Sequence, residues 1–190
     1  MSLLEAAVVR VVSLLEDSRV PYVVIGGFAN LHWGRARLTQ DIDVVVQIPD
    51  AELEAFVGSV RALANPAVTD PLGFVRETRV LPLQLENGVR VDLIHAGIPF
   101  EEQAIARGVT VPIGKSSVRL CAPEDLIVFK LVSERPRDRE DVEGVIARQA
   151  AKLDLEYLGA RAHELAADLG RPEILTFFSE CLRKNGLTPA

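Results

Sequence analysis

The chain has 190 residues, a formal net charge of −6, 48% hydrophobic and 25% charged residues. That composition fits a globular protein with a packed core, and the negative charge argues against broad nonspecific binding of nucleic acid. No apolar run approaches the roughly 18–20 residues that span a bilayer. The opening Met1-Ser2-Leu3-Leu4-Glu5 lacks the basic start of a signal peptide, so a cytoplasmic protein without a membrane partner is expected.

Apolar residues from Leu3 to Leu15 recur at helical spacing and predict an amphipathic helix over 3–17. Tyr22-Val23-Val24-Ile25 predicts a short strand that stops at Gly26-Gly27, followed by a short helix near 28–34. Asp41–Val46 predicts a second strand, and Pro49-Asp50 opens a helix through Leu53, Phe56, Val57, Val60 and Leu63. Residues 65–85 read as loop and strand punctuated by Pro66, Pro71, Gly73 and Pro82. Asn87-Gly88 signals a hairpin joining Val80–Leu85 to Val89–Ile94. A short helix is expected at 100–107, then a strand pair, Val109–Ile113 and Val118–Leu120. From Pro123 the pattern is helical, with further helices near 138–149, 154–168 and 172–184. The layout is an α/β half, residues 1–121, followed by a helical extension, residues 122–190. Only 5% of residues are aromatic, so Val, Leu, Ile and Ala must build the core. Cys121 and Cys181 form no CxxC or Cys/His cluster and read as reduced core cysteines.

The chemistry concentrates in Asp41, Asp43 and Asp92. Strand side chains at i and i+2 share a face, so Asp41 and Asp43 stand side by side while Ile42 and Val44 turn away. Adjacent carboxylates repel, and a divalent cation relieves that cost. Magnesium takes hard oxygen ligands, commonly one or two carboxylates plus substrate phosphates. If the strand of Asp92 lies beside that of Asp41, three carboxylates can hold two metals about 4 Å apart, the arrangement of two-metal phosphoryl transfer. Asp92 would also be placed to deprotonate an attacking hydroxyl. Gly26-Gly27, at a strand end and a helix start, lets backbone approach a phosphate. Arg37 and Thr39 precede the carboxylates and either contact phosphate or support the Asp41 loop. Lys130 lies in the apolar run Leu126–Val132 and needs an anion: a triphosphate or site carboxylate, or Asp138 or Asp141 of the next helix. Arg90 shares the face of Asp92. Arg137, Asp138 and Asp141 read as a capping and salt-bridge cluster, and His32 and Trp33 as core or rim packing or as the stacking lining of a base pocket.

Ile25-Gly26-Gly27, thirteen residues, then Asp41-Ile42-Asp43-Val44 resembles the signature of the DNA polymerase β-like nucleotidyltransferase superfamily. Gly26–His32 with Arg37-x-Thr39-x-Asp41-Ile42-Asp43 looks like its abortive-infection-type toxin branch, as do Pro123–Lys130 and Arg137–Val142. The resemblance implies a mixed α/β (α+β) sheet core with flanking helices and the C-terminal helices packed on it. It implies two Mg2+ ions, with Mn2+ as a substitute, bound by Asp41, Asp43 and Asp92. A nucleoside triphosphate such as ATP would be held near Gly26, Gly27, Arg37, Thr39 and Lys130. A hydroxyl acceptor (tRNA or other RNA, a protein or a small molecule) would receive the nucleotide as pyrophosphate leaves, and a toxin would have an antitoxin protein as partner. Gly27 departs from the serine many members carry, which leaves triphosphate contact to backbone donors. The alternative is a non-catalytic nucleotide sensor or interaction module on the same fold.

Overall fold

A computed structural model describes residues 1–61 and 64–188. Leu63, the expected end of the helix begun at Pro49, lies outside the described residues. The chain divides into two compact units. One comprises Met1–Phe28 and Leu38–Cys121; the other comprises Ala29–Arg37 and Ala122–Ala190.

The first unit is built on a seven-stranded mixed sheet in the order β3-β4-β5-β2-β1-β7-β6. Its strands are β1 (Tyr22–Ile25), β2 (Asp41–Val46), β3 (Asn65–Pro66), β4 (Val80–Gln84), β5 (Arg90–His95), β6 (Val109–Ile113) and β7 (Ser116–Leu120). Every residue of β1 is buried, which explains its unbroken apolar run at the middle of the sheet. In β2 and β5 one face is apolar: Ile42, Val44 and Val91 are fully buried, while Asp41, Asp43 and Asp92 are only partly covered.

Helix α1 (Leu3–Asp17) starts with a capping box, in which Glu5 N–H donates to the Ser2 hydroxyl and Ser2 N–H donates to Glu5. It buries Ala7, Val8, Val11, Val12 and Leu15. Helix α2 (Gly26–Trp33) begins at the first glycine, two residues earlier than the sequence suggests, and α3 (Leu53–Val60) follows a single 3-10 turn at Asp50–Glu52. The region 65–85 holds a helix that the sequence did not suggest, α4 (Pro71–Thr78). Asp70 caps it by accepting from Gly73 N–H at 3.0 Å, and Pro71 sits in the first turn, where the missing N–H costs nothing. Pro71 and Gly73 therefore start a helix rather than punctuate a loop. Helix α5 (Pro99–Arg107) follows β5.

The second unit contains α6 (Pro123–Leu131), α7 (Pro136–Gln149), α8 (Leu155–Leu169) and α9 (Glu173–Lys184). Its core includes Leu126, Ile127, Val145, Ile146, Leu158, Phe178 and Leu182. Burial pushes the Cys181 thiol up to about 11, so it stays an unreactive core group. The sequence points to a boundary at 121/122 but not to the grouping of Ala29–Arg37 with these helices. Hydrogen bonds account for it. Gln149 Nε2 donates to Trp33 O at 3.0 Å, Arg148 donates to Gly34 O, and Arg37 binds both oxygens of Asp141. Among the described residues no helix is long and apolar enough to cross a membrane.

Candidate active site

The parallel pairing of β2 with β5 decides the geometry. Its register sets Asp43 opposite Asp92 and Asp41 opposite Arg90. Because alternate residues share a face, these four side chains form the corners of one patch. The other face of the same strands enters the core. The neighbour of β2 on its other side is antiparallel β1, where Ile25 is the partner of Asp43. The chain then turns directly into α2, so Gly26 and Gly27 border the carboxylates.

Gly26 has a φ of +63°, and a Cβ placed there would lie 1.9 Å from Asp43 Oδ2 and 2.8 Å from its Cγ. Glycine is therefore required twice over, for the left-handed backbone and for the room taken by the Asp43 carboxylate. At Gly27 a Cβ would meet Thr39 Oγ1 at 2.4 Å. The Thr39 hydroxyl in turn donates to Asp41 Oδ1 at 3.1 Å. Glycine turn, threonine and carboxylates thus form one contact chain within the first unit. The first N–H groups of a helix lack intrahelical acceptors, so the start of α2 presents donors beside this patch.

The carboxylates differ in their electrostatics. Burial works to raise Asp41, but the Thr39 hydroxyl, backbone N–H groups and the Arg90 guanidinium outweigh it and hold the carboxyl below its ordinary value. Arg90 Nη2 lies 3.4 Å from Asp41 Oδ2. Burial raises Asp92, and Asp41 adds to the rise while Arg90 opposes it. Neighbouring acids pushed in opposite directions suit metal binding and proton transfer.

Among the described residues no three acidic, histidine or cysteine side chains converge as a finished metal cage. Asp41 is turned to Thr39 and Arg90, and Asp43 lies against Gly26. The donors are all carboxylate oxygens, and the absence of a side chain at Gly26 is what lets the Asp43 carboxylate sit against the turn that opens α2. That chemistry fits magnesium held by one or two carboxylates and by the phosphates of its substrate. Two clefts, of about 490 and about 570 Å³, lie near Pro21 and Gln47, at the other end of β1 and β2; neither is lined by these carboxylates.

Lys130 and Arg37 belong to the second unit. Lys130 is 8% exposed and ion-pairs with Asp138 and with Asp141, the latter at 3.1 Å. Arg37 Nε and Nη2 hold Asp141 at 2.7 and 2.6 Å. Of the partners open to Lys130 in the sequence, the carboxylates of α7 are therefore the ones it meets. Arg135 completes the cluster by donating to Asp138 at 2.7 Å. His32 packs edge-on against Trp33, with ring centroids 4.4 Å apart.

The fold is that of nucleotidyltransferases. The solution structure of the antibiotic-resistance factor ANT(2'')-Ia matches with a TM-score of 0.60 at 14% identity, covering 89% of this chain and 94% of that one. An antigenic nucleotidyltransferase-like protein from Paracoccidioides brasiliensis matches at 0.56 and 16% identity, covering 92% and 91%. The lincomycin-bound lincosamide antibiotic adenylyltransferase LnuA matches at 0.52 and 14% identity, covering 74% and 95%. Among curated proteins no sequence matches. The chain belongs to the family described as nucleotidyl transferase of unknown function (DUF2204), which matches residues 5–170.

Proposed function

We propose that the protein transfers a nucleoside monophosphate from a nucleoside triphosphate such as ATP to a hydroxyl acceptor, with release of pyrophosphate and dependence on Mg2+, in the cytoplasm. The observation that carries this reading is the pairing of Asp43 with Asp92 across β2 and β5, with Gly26 pressed against Asp43. Asp41, Asp43 and Asp92 would hold the metal, which supplies charge neutralisation of the triphosphate when bound. The backbone N–H groups at Gly26 and Gly27, where α2 begins beside Asp43, would receive the phosphates. Thr39 keeps Asp41 oriented and ionised. Asp92, whose pKa is raised, takes the proton from the acceptor hydroxyl. Lys130 and Arg37 pair with the carboxylates of α7.

The resemblance of Pro123–Lys130 and Arg137–Val142 to toxin nucleotidyltransferases supports testing a tRNA end as acceptor and a silencing antitoxin as partner. Likeness of fold to LnuA supports adding hydroxylated antibiotics to the acceptors tested. The experiment is a screen of the four nucleoside triphosphates for pyrophosphate release with Mg2+, alone, with tRNA and with such small molecules. Acceptor-stimulated release supports transfer. Nucleotide binding without release under every condition refutes it in favour of a sensor.

A further inference from the structure

Three corners of the β2–β5 patch are carboxylates, and the fourth is a cation. Arg90 stands opposite Asp41 in the register and on the face of Asp92. It lies 3.4 Å from Asp41 Oδ2, with side-chain exposures of 67% for Arg90 and 43% for Asp41. An ion pair so exposed is weak and easily exchanged. On its other side Arg90 faces β4, where its partner is Gln84. Once parted from Asp41, the guanidinium meets a neutral residue there. It stays close to the carboxylate patch and to whatever binds over it. The planar guanidinium fork matches phosphate oxygens better than a point charge does.

We propose that Arg90 is an exchangeable counter-ion that couples metal to triphosphate. In the ligand-free protein it neutralises Asp41. When metal and triphosphate bind, Arg90 releases Asp41 Oδ2 and pairs with a phosphate oxygen. Arg90 thus opposes binding of a metal alone and favours binding of a metal–triphosphate complex. This selects against unproductive occupancy by the bare cation. The inference rests on the metal-dependent nucleotide reading given above.

The test uses the full chain and a triphosphate without a base. Mn2+ binding alone is followed by electron paramagnetic resonance, and binding of the Mg2+–tripolyphosphate complex by calorimetry, in wild type, Arg90→Gln and Arg90→Lys. Arg90→Gln is expected to bind Mn2+ alone about two- to five-fold more tightly, the range of an exposed ion pair. It should bind Mg2+–tripolyphosphate more weakly by a similar factor. Arg90→Lys should fall between Gln and wild type on both axes. Unchanged affinities, or both shifting in one direction, overturn the proposal for Arg90 while leaving the metal–triphosphate reading standing. A wild-type protein that binds neither probe removes that reading and this inference with it. Thermal melting of each variant controls for folding.

Discussion

Substituting Gly26 by alanine should damage both stability and the site. Holding a non-glycine residue at φ +63° costs about 1–2 kcal/mol. The new Cβ would lie 1.9, 2.8 and 3.1 Å from Oδ2, Cγ and Cβ of Asp43, so the whole carboxylate must move and not only its tip. A side chain driven off its rotamer adds about 0.5–1.5 kcal/mol. Together they give a loss of about 1.5–3.5 kcal/mol. Urea unfolding followed by circular dichroism measures it, with Mn2+ titration on the same samples. Gly27→Ala is the control, because its φ is not positive and its Cβ meets the Thr39 hydroxyl rather than a carboxylate. It should cost less and weaken metal binding only through Asp41. A Gly26→Ala protein with wild-type urea midpoint and wild-type Mn2+ affinity would refute the assignment of this glycine to the Asp43 contact.

Thr39→Val removes the hydroxyl that donates to Asp41. The Asp41 carboxyl should then rise, and the pH midpoint of Mn2+ binding should move upward; an unmoved midpoint contradicts that role. Asp92 is raised in the fold, so its contribution is fully present below the unfolded carboxylate value and is lost as pH rises through the folded one. Asp92→Asn should therefore raise the melting temperature of the metal-free protein near pH 7, and the gain should vanish on acidification below the ordinary carboxylate range. A gain independent of pH rules out this cause. Lys130→Met removes the buried cation shared by Asp138 and Asp141, both 3% exposed, and should cost about 3 kcal/mol in urea unfolding. A loss under about 0.5 kcal/mol would show that Arg37 and Arg135 suffice.

Much of the sheet was legible because its signals are local. Alternation in Asp41–Val46 and Val89–Ile94 assigned faces, and Asn87-Gly88 gave the β4–β5 hairpin. The same signals could not show that β5 lies parallel to β2, because that pairing closes a long loop and carries no turn signature. The partnership of Asp43 with Asp92, and of Asp41 with Arg90, came only with the register. Helix α4 was hidden because Pro71 and Gly73 look like loop residues until Asp70 is seen capping them. Gly26-Gly27 at a strand end signals a close approach to the backbone, but that the near neighbour of Gly26 is Asp43 follows only from the strand pairing. The Arg37–Asp141 contact joins residues far apart in sequence, and no short-range pattern encodes it.

The central claim is that the β2–β5 carboxylates bind triphosphate through a divalent metal. It is tested most directly by magnesium-dependent binding of labelled nucleoside triphosphates to wild type and to the Asp41→Asn/Asp43→Asn double variant, with folding checked by circular dichroism. The account predicts binding by wild type that chelator abolishes, and no magnesium-dependent binding by the folded double variant. Equal magnesium-dependent binding by both would contradict it.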